Sequence, residues 1–258
     1  MSASTQFPPV WVFFDLDDTL WDFSGNSLIA LESVFSTELS LQLAFGMEKE
    51  FIEVYHKHNA ELWNLYHSGK ITAPYLRAER FGRTLAESSF RGDIAAEARR
   101  LDKEYLSRLV KEPGLVDGAV RLLEGISPYF LIGLLSNGFL DTQYDKIYNT
   151  PLHKYVARTV ISEETGINKP DRRIFDYALR ETGAEASRTI MVGDNPATDI
   201  KGALDAGWNA IYLDMKGAGA DGLCLESPRL RCVASLAEAE NALMDFRASL
   251  RGDGDSLH

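Results

Sequence analysis

Residues 10–19 read Val-Trp-Val-Phe-Phe-Asp-Leu-Asp-Asp-Thr, an apolar run that ends directly in acidic side chains. The residues at 10–14 are all β-branched or aromatic, and an apolar run without alternation is typical of a strand buried on both faces of a parallel sheet. Similar short, largely apolar runs return at 129–135, 156–161, 189–192 and 210–213, each followed by polar or glycine-containing residues. The stretch therefore predicts the first strand of such a sheet.

Helix-like stretches separate these strands, at 117–126, 172–182 and 197–206. Strands that alternate with helices of about ten residues imply right-handed crossovers between parallel strands. An edge strand at 231–234 and a last helix at 236–250 follow. The expected fold class is α/β, a doubly wound, Rossmann-like parallel sheet, and ligands on such sheets bind at the carboxyl ends of the strands.

One long segment breaks the alternation. From about residue 24 to 111 apolar side chains such as Phe51, Tyr55, Leu62 and Tyr66 recur at spacings of three and four, as on helices, and no strand pattern interrupts them. A helical block between the first and second strands predicts an inserted all-helical cap domain at 24–113. The α/β core would then be discontinuous, formed by 1–23 and 114–258.

Composition excludes several classes of function. The 258 residues carry 27 Lys and Arg against 38 Asp and Glu, a net charge of −11 that would repel a nucleic-acid polymer or an anionic membrane surface. No segment reaches the roughly 18 consecutive apolar residues of a membrane span. The cysteines, Cys224 and Cys232, form neither a disulfide framework nor a zinc motif, which favours a cytoplasmic location.

Acidic side chains follow the first and fourth predicted core strands. Asp15 and Asp17 are two residues apart and can enter one pocket, where their repulsion suggests a bound cation or separate roles as nucleophile and acid/base. The segment Gly193-Asp194-Asn195-Pro-Ala-Thr-Asp199 adds two carboxylates at another junction of strand and helix.

Hydrogen-bond donors and a cation occupy similar positions. Ser136-Asn137-Gly138 offers a hydroxyl and an amide suited to phosphate oxygens, and Lys169-Pro170 places a positive charge beside the start of a helix. Each short segment alone is a common turn or helix cap. All four, however, occur in order at the edge of the sheet where ligands bind.

The combination Asp15-x-Asp17-x-Thr19, Ser136-Asn137, Lys169-Pro170 and Gly193-Asp194 to Asp199 resembles the motif signature of the haloacid dehalogenase-like hydrolase superfamily. The helical insert resembles the C1-type cap of that superfamily, which closes over the pocket and selects the substrate. Residues 14–23, 160–179 and 191–207 are most similar to its 5'-nucleotidases for pyrimidine and noncanonical nucleoside monophosphates.

This resemblance implies a Mg2+-dependent phosphomonoester hydrolase. Asp15 would attack phosphorus to form an aspartyl-phosphate, and Asp17 would protonate the leaving oxygen and then deprotonate water. Mg2+ would be held by Asp15, the backbone carbonyl of Asp17 and Asp194. The phosphoryl oxygens would contact Ser136, Asn137 and Lys169. We expect Thr19 and Asp199 to support these residues rather than to contact the substrate, with Asp199 orienting Lys169 or a metal-bound water.

The expected substrate is a small phosphorylated molecule, with a nucleoside monophosphate favoured, and the expected oligomeric state is a monomer or homodimer. Trp21 and Phe23 follow the catalytic loop directly, and Trp63 belongs to an aromatic group in the insert, so all three are candidate substrate contacts. Aromatic side chains at helical spacing are, however, more often part of a core.

Other functions on this fold are possible alternatives to a nucleotidase. A phosphosugar phosphatase or mutase of the superfamily would use the same core motifs, and a mutase would differ in how its cap excludes water. A dehalogenase would lack the second acidic residue, and Asp17 is present. A noncatalytic anion-binding module on this fold would be expected to lose Asp15 or Asp17.

Overall fold

The computed structural model of the chain describes residues 9–217 and 227–255; Cys224 lies outside them. The chain divides into two compact units. One comprises the described residues of Met1–Trp21, Leu115–Gln143 and Thr150–His258, and the other comprises Asp22–Gly114 and Tyr144–Asn149. The boundaries predicted from the sequence, 1–23 with 114–258 and 24–113, differ by one or two residues and do not group 144–149 with the helical unit.

Six parallel strands form the sheet of the first unit, in the spatial order β3-β2-β1-β4-β5-β6. They are β1 (Trp11–Phe14), β2 (Leu131–Ser136), β3 (Val156–Ile161), β4 (Thr189–Gly193), β5 (Asn209–Leu213) and β6 (Leu230–Val233). Phe14 at the end of β1 lies opposite Leu134 of β2 and Val192 of β4. The order of the strands therefore changes direction at β1, which is where doubly wound sheets bind ligands.

The helices, in chain order, are α1 (Phe23–Thr37), α2 (Leu39–Phe45), α3 (Glu48–His67), α4 (Ala73–Ala86), α5 (Ile94–Leu109), α6 (Ala119–Ile126), α7 (Leu140–Tyr148), α8 (Ser162–Thr165), α9 (Arg172–Thr182), α10 (Lys201–Asp205) and α11 (Leu236–Asp255). Shorter 3-10 turns lie at Pro151–Lys154 and Ala186–Arg188, and a π-helical turn, Pro196–Ile200, leads into α10. The predicted α/β class with a parallel, doubly wound sheet is confirmed.

Aromatic packing holds the central strand in place. Phe13 is fully buried, and its ring centroid lies 5.2 Å from that of Trp208, which in turn meets Phe175 at 5.3 Å. Burial of such large side chains is the main source of favourable free energy in folding. Because β1 is held between its neighbours in this way, the residues that follow Phe14 leave the sheet from a rigid position.

The second unit is helical, as predicted for the insert. Tyr55 of α3 packs against Phe81 of α4 at 4.9 Å and Tyr105 of α5 at 5.6 Å, so these three helices share one core. Arg80 and Asp102 form a buried ion pair in that core, with an N–O distance of 2.5 Å.

No single helix among residues 9–217 and 227–255 is both long and apolar enough to cross a membrane. The pair α1 and α2 reaches that length and composition only together, with a bend of 93° between the two helices.

The structure differs from the predicted elements near two motifs. The helix predicted at 197–206 begins as the π-helical turn, which carries Asp199, and α10 ends at Asp205. Helix α7, which follows Ser136-Asn137-Gly138, was not among the predicted helices. Its amphipathic pattern is short and follows a glycine, and such segments lack a strong periodic signal.

Candidate active site

The loop after β1 places two carboxylates beside each other. The backbone N–H of Asp15 donates to the carbonyl of Val192 at 2.9 Å, so pairing with β4 continues one residue past the strand. The chain then turns through Asp18, whose φ is +55°. Leu16 and Leu20 are fully buried beneath this turn, whereas Asp15 and Asp17 keep part of their surface exposed. The alternation of apolar and acidic residues thus directs both carboxylates away from the core.

Lys169 lies between two of the predicted site carboxylates. Its Nζ donates to Asp15 Oδ1 and to the carbonyl of Leu135, both at 2.7 Å, and lies 2.8 Å from Asp199 Oδ1. The three acceptors match the three hydrogens of an ammonium group. Burial alone would lower the pKa of this lysine, but attraction to Asp15 and Asp199 outweighs burial and raises it. Lys169 is therefore a permanent cation.

Asn137 supports Lys169 through the backbone. Its Oδ1 accepts from the Lys169 N–H at 2.8 Å, and its Nδ2 donates to the Lys169 carbonyl at 3.0 Å. Both ends of this buried amide are thus engaged by another residue. The side chain therefore braces the loop that carries the lysine. Because Nδ2 has a second hydrogen, the contact with a phosphoryl oxygen expected of Asn137 stays a prediction.

Thr19 and Asp199 support the carboxylates at the end of β4. The Thr19 hydroxyl donates to Asp194 Oδ1 and accepts from the Asp194 N–H, both at 3.2 Å. Asp199, which has no exposed surface, accepts from the Thr198 hydroxyl at 3.1 Å and from the Asn195 N–H at 3.2 Å. A Cβ at Gly193 would collide with the Asp199 carboxylate, so only glycine allows this approach.

Oxygen atoms of Asp15, Asp194 and Asp199 lie within 4.8 Å of one another. Burial raises the pKa of Asp15 well above its ordinary value, with Lys169 opposing the rise. Burial, followed by the charge of Asp199, raises the pKa of Asp194 to about 7. The group concentrates more negative charge than one lysine offsets, and hard oxygen donors of this kind suit Mg2+. The donor set therefore fits a divalent cation.

Ser136 and a residue missed by the sequence analysis, Gln143, complete the site. The Ser136 hydroxyl accepts from Gln143 Nε2 at 2.6 Å and from the Gly138 N–H at 3.2 Å. Because its lone pairs both accept, its hydrogen is left to donate, as a phosphate contact requires. Gln143 Nε2 also donates to Asp17 Oδ2 at 3.0 Å. The only sequence signal for Gln143 was its place a few residues after the Ser136-Asn137-Gly138 motif.

The aromatic candidates lie in different surroundings. Trp21 has no exposed surface, and its backbone bridges to Asp17 and Leu115, so it packs in the core, which differs from the substrate contact expected of it. Phe23 and Trp63 are half-buried in the helical unit. The Phe23 ring lies 5.3 Å from Lys146 Nζ, and the Trp63 ring lies 5.6 Å from Tyr66. Their contacts with substrate remain a prediction.

A parallel sheet with paired aspartates at the end of its central strand, and a buried lysine facing the first of them, defines a class of α/β enzymes that work through a carboxylate. The comparison with protein families agrees with this class. The model of the haloacid dehalogenase-like hydrolases matches residues 11–207, and the chain belongs to this family. The prediction of an enzyme of the superfamily is thereby confirmed.

Individual relatives cover most of the chain. The pyrimidine 5'-nucleotidase YjjG of Escherichia coli (strain K12) is 34% identical over 205 residues, which are 79% of this chain and 85% of the relative. A glyceraldehyde 3-phosphate phosphatase of Methanothermobacter thermautotrophicus is 28% identical over 207 residues, 79% of this chain and 84% of its own. The magnesium-bound crystal structure of the putative HAD-hydrolase YfnB from Bacillus subtilis superposes with a TM-score of 0.76 at 26% identity, covering 91% of this chain and 98% of that one.

Proposed function

We propose that this protein is a Mg2+-dependent phosphomonoester hydrolase that forms an aspartyl-phosphate and acts on nucleoside 5'-monophosphates. The observation that carries the proposal is the pair of carboxylates at the end of β1. Asp15 is held by Lys169 at 2.7 Å, and Asp17, two residues later, is held by an amide that also reaches Ser136. A nucleophile and a separate acid/base are what a two-step phosphoryl transfer needs.

In the first step an oxygen of Asp15 attacks phosphorus, and the bond from phosphorus to the ester oxygen breaks. Lys169 holds Asp15 Oδ1 and so fixes the plane of the carboxylate. Asp17 gives its proton to the leaving oxygen. In the second step Asp17 takes a proton from water, whose oxygen attacks phosphorus and releases Asp15 with free phosphate. Ser136 donates a hydrogen bond to a phosphoryl oxygen, and the positive charge of Lys169 stabilises the negative charge that moves onto the phosphoryl group.

Asp15 and Asp194 would hold Mg2+ through their side chains, and Asp17 through its backbone carbonyl. The bound ion would supply the positive charge that lets an anionic phosphate approach three carboxylates. The magnesium in the YfnB structure, which covers nearly all of this chain, supports this part of the proposal. Asp199 is engaged by Lys169, Thr198 and Asn195, which favours a supporting role for it.

The nucleotide preference is supported by the similarity to YjjG, a pyrimidine 5'-nucleotidase, at 34% identity. A phosphosugar phosphatase is the second candidate, because the relative from Methanothermobacter thermautotrophicus acts on glyceraldehyde 3-phosphate. A cytoplasmic location and a monomeric or homodimeric state are part of the proposal, the location resting on the absence of a disulfide pattern in the sequence.

The test is a phosphate-release screen with Mg2+ across nucleoside 5'-monophosphates, sugar phosphates and phosphonates, with Asp15→Asn as the control. We expect the highest kcat/KM on a nucleoside monophosphate and no turnover by the variant. A best substrate among the sugar phosphates would favour the second candidate, and an isomerised product without free phosphate would indicate a mutase. Full activity of Asp15→Asn would refute the mechanism.

A further inference from the structure

The amide of Gln143 links the acid/base to the phosphate-binding serine. Its Nε2 donates to Asp17 Oδ2 at 3.0 Å and to Ser136 Oγ at 2.6 Å, and only 1% of the residue is exposed. The position is built for this side chain, because a Cβ on Gly138 would collide with the Gln143 amide. All of these residues belong to the α/β unit.

The orientation of the amide follows from its neighbours. In its ionised form Asp17 only accepts hydrogen bonds, so an amide oxygen facing Asp17 Oδ2 would be repelled, and the amide nitrogen points there. Nε2 carries two hydrogens, and the two contacts use both. Gln143 Oε1, in contrast, is buried without a hydrogen-bond partner among the described residues.

A buried polar atom without a partner costs free energy, and an apolar side chain of the same size would avoid that cost. Other contacts hold the start of α7, since the Leu140 N–H donates to Glu163 Oε2 at 2.7 Å and the Thr142 N–H donates to Asp141 Oδ1 at 2.7 Å. Packing therefore does not explain a glutamine at this position, and its two donated bonds do.

We propose that Gln143 is a positioning residue that decides which oxygen of Asp17 transfers the proton. An oxygen that accepts from an amide N–H behaves as the carbonyl oxygen of a carboxylic acid, so the proton resides on Oδ1. The same amide keeps that carboxyl at a set distance from the Ser136 hydroxyl, which contacts the phosphoryl group. The inference rests on the proposed function and deepens it by adding a residue to the acid/base step.

Leaving-group dependence tests this role. The nitrophenolate of 4-nitrophenyl phosphate departs without a proton, whereas the alkoxide of a nucleoside 5'-monophosphate needs one. General acid catalysis contributes about 10²–10⁴-fold to a rate. For Gln143→Leu we therefore expect kcat/KM to fall by roughly 30-fold on the nucleotide and by less than about 3-fold on 4-nitrophenyl phosphate, since misorientation removes only part of the acid's contribution.

The second step supplies an independent readout. Asp17 must also deprotonate water, so a misoriented carboxyl slows hydrolysis of the aspartyl-phosphate with every substrate. Rapid mixing of Gln143→Leu with 4-nitrophenyl phosphate should give a burst of nitrophenol near one equivalent per active site, larger than that of wild type. A residue that merely supports the fold would slow both substrates equally and produce no burst.

Two further variants make the test decisive. Gln143→Met keeps the length of the side chain and removes both donated hydrogen bonds without adding a charge, so it should show the same pattern and serves if the leucine variant does not fold. Gln42→Leu is the matched control, because Gln42 Nε2 donates to the carbonyls of Phe35 and Ser36, in the helical unit. It should leave both substrates unaffected.

If the wild-type protein releases phosphate but Gln143→Leu loses equal activity on the two substrates, or loses none, the role of Gln143 is overturned. The proposed function is not affected by that result. Failure of the wild type to release phosphate from any substrate would overturn the proposed function and this role with it.

Discussion

Asp194 should destabilise the metal-free protein at neutral pH, so Asp194→Asn should be inactive and yet more stable. Burial, followed by the charges of Asp199 and Asp18, raises the pKa of Asp194 from 3.8 to about 7. The variant keeps an oxygen that accepts from the Thr19 hydroxyl but removes the charge. Below the unfolded-state pKa, Asp194 is protonated in both states and does not lower the free energy of unfolding. As the pH rises from there through the folded-state pKa, the folded protein must ionise a buried carboxyl, and the free energy of unfolding falls.

The magnitude follows from the same values. One pKa unit corresponds to about 1.4 kcal/mol, so ionising Asp194 in the folded, metal-free protein at pH 8 costs about 4 kcal/mol. Removing that cost should raise the melting temperature by roughly 8 °C in a chain of this size. At pH 4 the carboxyl is protonated in the folded state, and the two proteins should melt within about 2 °C of each other.

Thermal unfolding in EDTA at pH 4 and pH 8 measures this difference. Asp245→Asn is the matched control, because Asp245 is exposed on α11, and it should change the melting temperature at neither pH. Adding Mg2+ at 100 times its Kd should stabilise wild type by about 2.7 kcal/mol and should leave Asp194→Asn unchanged. An Asp194→Asn variant no more stable than wild type at pH 8 in EDTA, or equally stabilised at both pH values, would refute the electrostatic reasoning.

Two other predictions concern the supports of the site. Lys169→Met leaves the partly buried Asp15 and the buried Asp199 without their cation and should lower the free energy of unfolding by about 3–5 kcal/mol. Urea titration and phosphate release measure the losses, and a stable, active variant would contradict the role of Lys169 as the cation that holds both carboxylates. Gly193→Ala places a methyl group against the Asp199 carboxylate and should cost about 1–3 kcal/mol and most of the activity. Gly82→Ala is its control, because the nearest atom to a new Cβ there is 3.9 Å away, and in the middle of α4 it should be neutral or stabilising by up to about 1 kcal/mol.

Local patterns explain why much of the fold was predictable. The run at 10–14 forms β1, and the later apolar runs form the remaining core strands with shifts of one or two residues at their ends. A buried strand needs an unbroken apolar run, so its identity can be seen in a few residues. The position of Asp15 and Asp17 just past such a run was enough to predict that they lie at the edge where ligands bind.

Long-range hydrogen bonds were not predictable in the same way. Gln143 and Asp17 are 126 residues apart in the chain, and Asn137 and Lys169 are 32 apart. A side-chain amide has the same local sequence whether it donates to a carboxylate, braces a backbone or faces water. Which partner it meets depends on the crossovers that bring β1, β2 and their following loops together.

The sequence by itself determined the core strands, the helical insert, the two aspartates, the lysine and the family, because periodicity and short motifs are properties of neighbouring residues. Only the tertiary structure decided that Asn137 serves Lys169, that Trp21 is buried, and that Gln143 joins Asp17 to Ser136. The physical reason is that a motif specifies a chemical group, whereas packing specifies the atoms that this group can reach.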